Sequence, residues 1–275
     1  ERRTNKAARQ VVLTMVVISV TLTILLISCR SWLLSFIFGQ VESEVMADAK
    51  VYFLITVLSY PFIALFNAGS AFYRAGGNSK FPMKIAVVSN LLNIIGNIIL
   101  IFGFHMGVAG AALSTLISRI FCCMVVFYFL GKPKQPIVLN EYLKIRPDFP
   151  LIGMILSVGV PAGIENGMFQ FGKILVQSLI ATFGTYSIAA NAVSNNLAQM
   201  QIIPGMAMGL AMVTVVGQCA GANQYDQARY YIKKLMKITY LSMFILIAIL
   251  LMATPLILPF YSLSRETTDL AYQCI

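Results

Sequence analysis

Apolar residues run along this chain in long blocks, separated by short charged segments. A helix that crosses a bilayer needs about 20 apolar residues. Residues 10–29 carry no charge, and Arg30 interrupts an apolar run that continues to Phe38. Residues 51–73 and 238–264 form two further runs. Residues 85–118 hold no Asp, Glu, Lys or Arg over 34 positions, too many for one crossing, and GFHMG at 103–107 is the natural break. Residues 174–225 are uncharged over 52 positions, with FGT at 183–185 as the turn. The pattern therefore predicts seven helices, about 10–38, 51–73, 84–103, 107–131, 150–183, 186–218 and 231–260.

Charge placement supports this count. With the N-terminal segment on the cytoplasmic side, the inner segments are 1–9, 74–84, 132–149 and 219–237, and they hold fifteen Lys and Arg residues. The outer segments 39–50, 104–106, 184–186 and 261–275 hold two, Lys50 and Arg265. Short cytoplasmic loops are enriched in Lys and Arg, and one helix too many or too few would scramble the asymmetry. The net charge of +10 is thus an orientation signal rather than a nucleic-acid footprint. Composition agrees: 59% of residues are hydrophobic and 11% charged, whereas a soluble domain carries about 25% charged residues. The expected class is an all-α integral membrane protein, multi-pass in the plasma membrane.

Two segments resemble each other. NKAARQVVLTMVVISV from residue 5 and YDQARYYIKKLMKITY from residue 225 both place Ala-Arg ahead of a long apolar helix. Ala8-Arg9 matches Ala228-Arg229, and after a two-residue slip Phe38, Glu44 and Ala49 match Phe260, Glu266 and Ala271. Both segments start on the same side, as a parallel repeat requires. A period of roughly 220 residues fits six helices per repeat. On that reading two helices precede residue 1 and three follow residue 275, twelve in all.

Several polar residues lie inside the spans. Glu165 is the only carboxylate within one. An ionised acid at that depth is expensive and belongs against protein or water. It is either a proton or Na+ carrier or a structural acid, bonded across helices or paired with Lys173 or Arg119. Lys173 lies two turns further along, out of direct reach on an unbroken helix; a snorkelling lysine is its other reading. At about 100° per residue, Asn166, Gln170, Lys173 and Gln177 share one helix edge, as do Asn191, Asn195 and Gln199, and Asn90, Asn93 and Asn97. Such amide edges line a hydrated interior or hold helices together; the asparagines at 90–97 suit packing. Pro61, Pro161 and Pro204 interrupt spans and act as hinges or as fixed kinks. Met168, Met200, Met206, Met208 and Met212 supply adaptable apolar surface or plain filler.

Other chemistry is excluded or unsupported. One histidine, His105, cannot build a His-rich metal site, and the five cysteines form no CxxC or disulfide framework. Gly76-Gly77 belongs to no strand–loop–helix phosphate motif, so ATP-driven pumping has no footing. One His and one buried acid do not make the usual catalytic sets, so no enzyme and no cofactor is expected.

Four stretches carry a family resemblance: SYPFIALFNAGSAFYRAGGNSKFPMKIAVVSNLLNIIGNIILIFGF (59–104), GVAGAALSTLISR (107–119), GVPAGIENGMFQFGKILVQSLIATFGTYSIAANAV (159–193) and GQCAGANQYDQAR (217–229). They resemble the multidrug and toxic compound extrusion (MATE) antiporters, RAGGNSKFPM followed by SNLLNIIGN most specifically. The resemblance implies a twelve-helix bundle of two six-helix lobes around a central cavity, working by rocker-type alternating access. It implies export of organic cations or other amphipathic compounds against Na+ or H+, by a monomer without nucleic-acid partners. On it, residues 1–131 are the last four helices of the first lobe, 132–149 a cytoplasmic linker, and 150–275 the first three helices of the second. The family's first-lobe coupling carboxylate would precede residue 1, and its seventh-helix acidic position is Phe169 here, with Glu165 one turn earlier. A lipid-linked oligosaccharide flippase of related fold is the alternative; its cationic cavity would draw on Arg30, Arg119 and Lys173.

Overall fold

The computed structural model describes residues 2–38, 43–132 and 147–257. Most of the expected linker (133–146), the outer segment 261–275 and the repeat matches at Phe260, Glu266 and Ala271 lie outside the described residues. Among the described residues every regular element is helical: α1 (Arg2–Ser28), α2 (Arg30–Phe38), α3 (Ser43–Leu58), α4 (Tyr60–Ala75), α5 (Lys80–Asn97), a π-helical turn (Ile98–Gly103), α6 (Gly107–Leu130), α7 (Phe149–Ala181), α8 (Thr185–Gly221) and α9 (Tyr225–Ile257). They supply seven stretches long and apolar enough to cross a membrane, the number the hydropathy pattern predicts.

Several helix starts precede the predicted ones, whereas the predicted 10–38 helix is divided at Cys29 and α7 ends at Ala181, short of the predicted 183. α1 begins eight residues earlier than expected, at Arg2, and α9 six residues earlier, at Tyr225. The hydropathy pattern marks the lipid-facing part of a helix, but backbone bonding continues into charged turns because Lys, Arg and Gln are good helix formers. The two predicted turns fall in place. His105 and Gly107 adopt φ of 52° between the π turn and α6, and Gly184 adopts φ of 97° between α7 and α8. Glycine accepts that left-handed backbone without a side-chain clash.

The chain divides into two compact units, residues 1–158 and 159–275, with the boundary inside α7. In the first unit a core of Ala8, Val12, Phe72, Tyr73, Ile85, Cys122, Val126 and Leu130 joins α1, α4, α5 and α6. With no hydrophobic effect between helices in lipid, close approach of small residues and interhelical polar contacts must hold them. Gly69 on α4 meets Val126 on α6, and Gly96 on α5 meets Ser114 on α6, both too closely to admit a Cβ.

The α3–α4 break shows how a proline is accommodated in a span. Pro61 has no N–H with which to reach the Val57 carbonyl one turn back. That carbonyl instead accepts the Thr23 hydroxyl of α1 at 3.4 Å. Ser59, fully buried at the break, donates its hydroxyl to the Thr56 carbonyl at 2.6 Å and accepts from Arg119 of α6.

In the second unit α8 and α9 pack along each other, with Gly205 of α8 against Met243. Ala8 and Ala228, equivalent in the repeat, are both buried, at 4% and 6% exposure.

Candidate functional site

α7 carries most of the candidate residues. It is one helix from Phe149 to Ala181 with Pro161 inside it, and its residues beyond Val158 are almost all exposed. Glu165 stands on it one turn after the proline, exposed. Asn166 donates its amide to the Ala162 carbonyl at 2.8 Å, a bond within its own helix. Gln170 is exposed. Lys173 turns its ammonium back over the Phe169 ring, 4.9 Å from the centroid, not toward Glu165. Among the described residues the ion pair is Lys6–Asp148 at 2.5 Å.

Gln177 joins this edge to α8. Its Oε1 accepts the Asn191 amide at 2.8 Å, so the α7 and α8 amide edges adjoin at this point. Asn195 and Gln199 follow one and two turns later on α8, both exposed. Pro204 lies inside α8. The methionines differ among themselves: Met168, Met200 and Met206 are exposed, while Met208 and Met212 are half-buried. A shallow polar depression at the α8–α9 turn, lined by Gln218, Cys219, Gln224 and Tyr231 among others, lies away from these edges.

The first unit's amides do different work. Asn93 of α5 donates to Thr115 at 3.2 Å and to Ser114 at 3.4 Å on α6, and the Ser114 hydroxyl returns a 2.8 Å bond to the Asn93 carbonyl. Asn97 donates to Asn93 Oδ1 at 3.3 Å, and Ser89 extends the seam to the Ser118 carbonyl at 3.2 Å. Asn90, on the same edge, is exposed. Arg119 is engaged by Ser59. Pro61 sits in the first turn of α4, where a missing N–H costs least.

Three features escaped the sequence reading. Pro255 lies inside α9. Ser59 is the partner of Arg119, a pairing 60 positions apart that no local pattern announces. Asp148 starts α7: its Oδ1 accepts the Leu151 amide at 3.3 Å, its own amide donates to Gln10 Oε1 of α1 at 3.1 Å, and its carboxylate pairs with Lys6. The signal for it was present, since Asp ahead of Phe-Pro is a helix-start pattern. Lys6 first, and the Leu151 amide second, hold the Asp148 carboxyl below the usual carboxylate range.

Seven apolar spans and tight small-residue crossings define a polytopic α-helical membrane protein. The MatE family model matches residues 1–99 and 161–275. The chain belongs to the MatE family. It is 29% identical over 243 residues to the probable multidrug resistance protein YoeA of Bacillus subtilis, covering 86% of this chain and 52% of that one. It is 30% identical over 211 residues to the multidrug export protein MepA of Staphylococcus saprophyticus, covering 76% and 45%. The chain thus spans about half the length of the curated relatives it matches. A solved MOP superfamily transporter from Pyrococcus furiosus shares the fold with a TM-score of 0.89 at 20% identity, covering 98% of this chain and 60% of that one. The MATE resemblance and the all-α membrane architecture expected from the sequence are both met.

Proposed function

We propose that the protein is a secondary antiporter that exports organic cations or other amphipathic compounds in exchange for Na+ or H+ by alternating access. The observation that carries this is the bonded amide edge of α7 and α8, Gln177 to Asn191, on the helix that also carries Glu165, in a MatE-family chain whose relatives are named for multidrug export and resistance. A lipid-facing surface has no use for such a row of amides, whereas a hydrated route for solutes does. Glu165 is assigned as the coupling-ion group of this unit. Residues 1–131 and 150–275 belong to the two lobes, joined by 132–149. The segments 1–9, 74–84, 132–149 and 219–237 face the cytoplasm across the plasma membrane, a reading their Lys and Arg excess supports. The test is efflux of a cationic dye from loaded cells, or from proteoliposomes, under an imposed Na+ or H+ gradient. Efflux that follows one gradient is expected, and transport that ignores both would overturn the coupling.

A further inference from the structure

Lys173 is the sole cation of α7, and α8 carries no charge at all. The one carboxylate on either helix, Glu165, lies eight residues back along α7, about 12 Å of helix rise away. Its ammonium lies back over the Phe169 ring one turn earlier, the direction in which side chains on a helix tilt. The face of an aromatic ring is a weak partner for an ammonium compared with a carboxylate. An ammonium inside a span calls for a better one.

Its surroundings suit an anion. Lys173 falls between Gln170 and Gln177 within an arc of about 60° on α7. Gln177 uses its oxygen to accept from Asn191, and its amide nitrogen carries two further donors that an anion could use. Phe169, exposed beside the ammonium, offers flat apolar surface. A cationic head group of a substrate would meet repulsion here; a negatively charged one would replace the ring as the partner of the ammonium and accept from the flanking amides.

We propose that the Lys173 face of α7 binds the negatively charged group of an amphipathic substrate, so that this unit favours amphiphiles bearing such a group over plain organic cations. This rests on the reading above that the α7–α8 edge lines the substrate route, and it narrows the substrate class. The probes are a rhodamine with a free carboxylate and the same dye as its ethyl ester, titrated by fluorescence anisotropy against the purified full-length protein in lipid nanodiscs. The free acid is expected to bind about tenfold more tightly than the ester. Lys173→Gln should abolish that preference, with a wild-type thermal unfolding midpoint showing that the variant is folded, and Lys173→Arg should retain it. A wild type that prefers the ester, or a Lys173→Gln variant with the preference intact, overturns the assignment. Binding that behaves as expected, with no gradient-driven movement of either dye, sustains the assignment and overturns the antiport reading instead.

Discussion

Gly69 of α4 and Val126 of α6 touch so closely that the glycine has no room for a β-carbon. Val126 is fully buried in the core of the first unit, so it cannot swing aside into open space. Gly69→Val should therefore force the two helices apart. Overpacking of this kind costs about 1–3 kcal/mol. Thermal unfolding in detergent should show a lowered midpoint for Gly69→Val, and adding Val126→Ala should recover part of the loss. Equal midpoints for the wild type and Gly69→Val would mean that the contact is not a constraint.

The α5–α6 seam is interlocked: Asn93 donates to the Ser114 and Thr115 hydroxyls, Ser114 donates back to the Asn93 carbonyl, and Thr115 donates to the Ala111 carbonyl of its own helix. A bond of this kind within a membrane contributes about 0.6 kcal/mol on average, up to about 1.7. Asn93→Ala removes two interhelical bonds and strands part of a third residue, Asn97. The variant is expected to lose stability by about 1–2 kcal/mol and to keep its transport rate per folded molecule. A variant of unchanged midpoint with altered dye efflux would place Asn93 in the substrate route instead.

The spans and both interior turns were legible in the sequence because lipid imposes a local rule: each crossing needs its own apolar length, and each reversal needs turn residues such as Gly107 and Gly184. Helix ends were not legible from hydropathy, since Arg2 to Arg9 and Tyr225 to Lys237 stay helical in charged turns where the apolar signal has already stopped. The amide edges were visible as spacing, but spacing alone did not separate Asn93, bonded across to α6, from Gln177, bonded to α8 on an exposed face. Long-range partners were invisible for a simpler reason. Ser59 and Arg119, or Gln10 and Asp148, meet only because helices far apart in sequence pack together.

Asp148 gives the start of α7 a dependence on pH whose sign follows from its pairing. Its carboxyl sits below the usual range in the folded protein, chiefly because Lys6 hydrogen-bonds it. A depressed pKa stabilises the fold above the unfolded carboxylate's pKa, and the contribution is lost as pH falls through the folded value. Asp148→Asn should therefore lower the unfolding midpoint at neutral pH, and the gap from wild type should close as the pH drops below about 4. High salt should narrow the same gap, because the pair is partly exposed. No gap at any pH would mean that the cap to Leu151, which asparagine can also make, is all that Asp148 contributes.

Glu165 is the sharpest test of the transport reading, because the two roles open to it separate cleanly. A coupling group must change protonation or bind an ion during each cycle, so Glu165→Gln should abolish the dependence of dye efflux on the imposed gradient, while Glu165→Asp keeps it with a shifted pH profile. A purely structural acid would behave otherwise: glutamine, equal in shape and able to hydrogen-bond, would serve nearly as well, and efflux would stay gradient-driven. Dye binding, measured alongside, should survive in Glu165→Gln, since the amide edge from Asn166 to Gln177 is untouched. Loss of gradient dependence with binding retained assigns the coupling ion to this carboxylate; retention of both would move the coupling site away from α7.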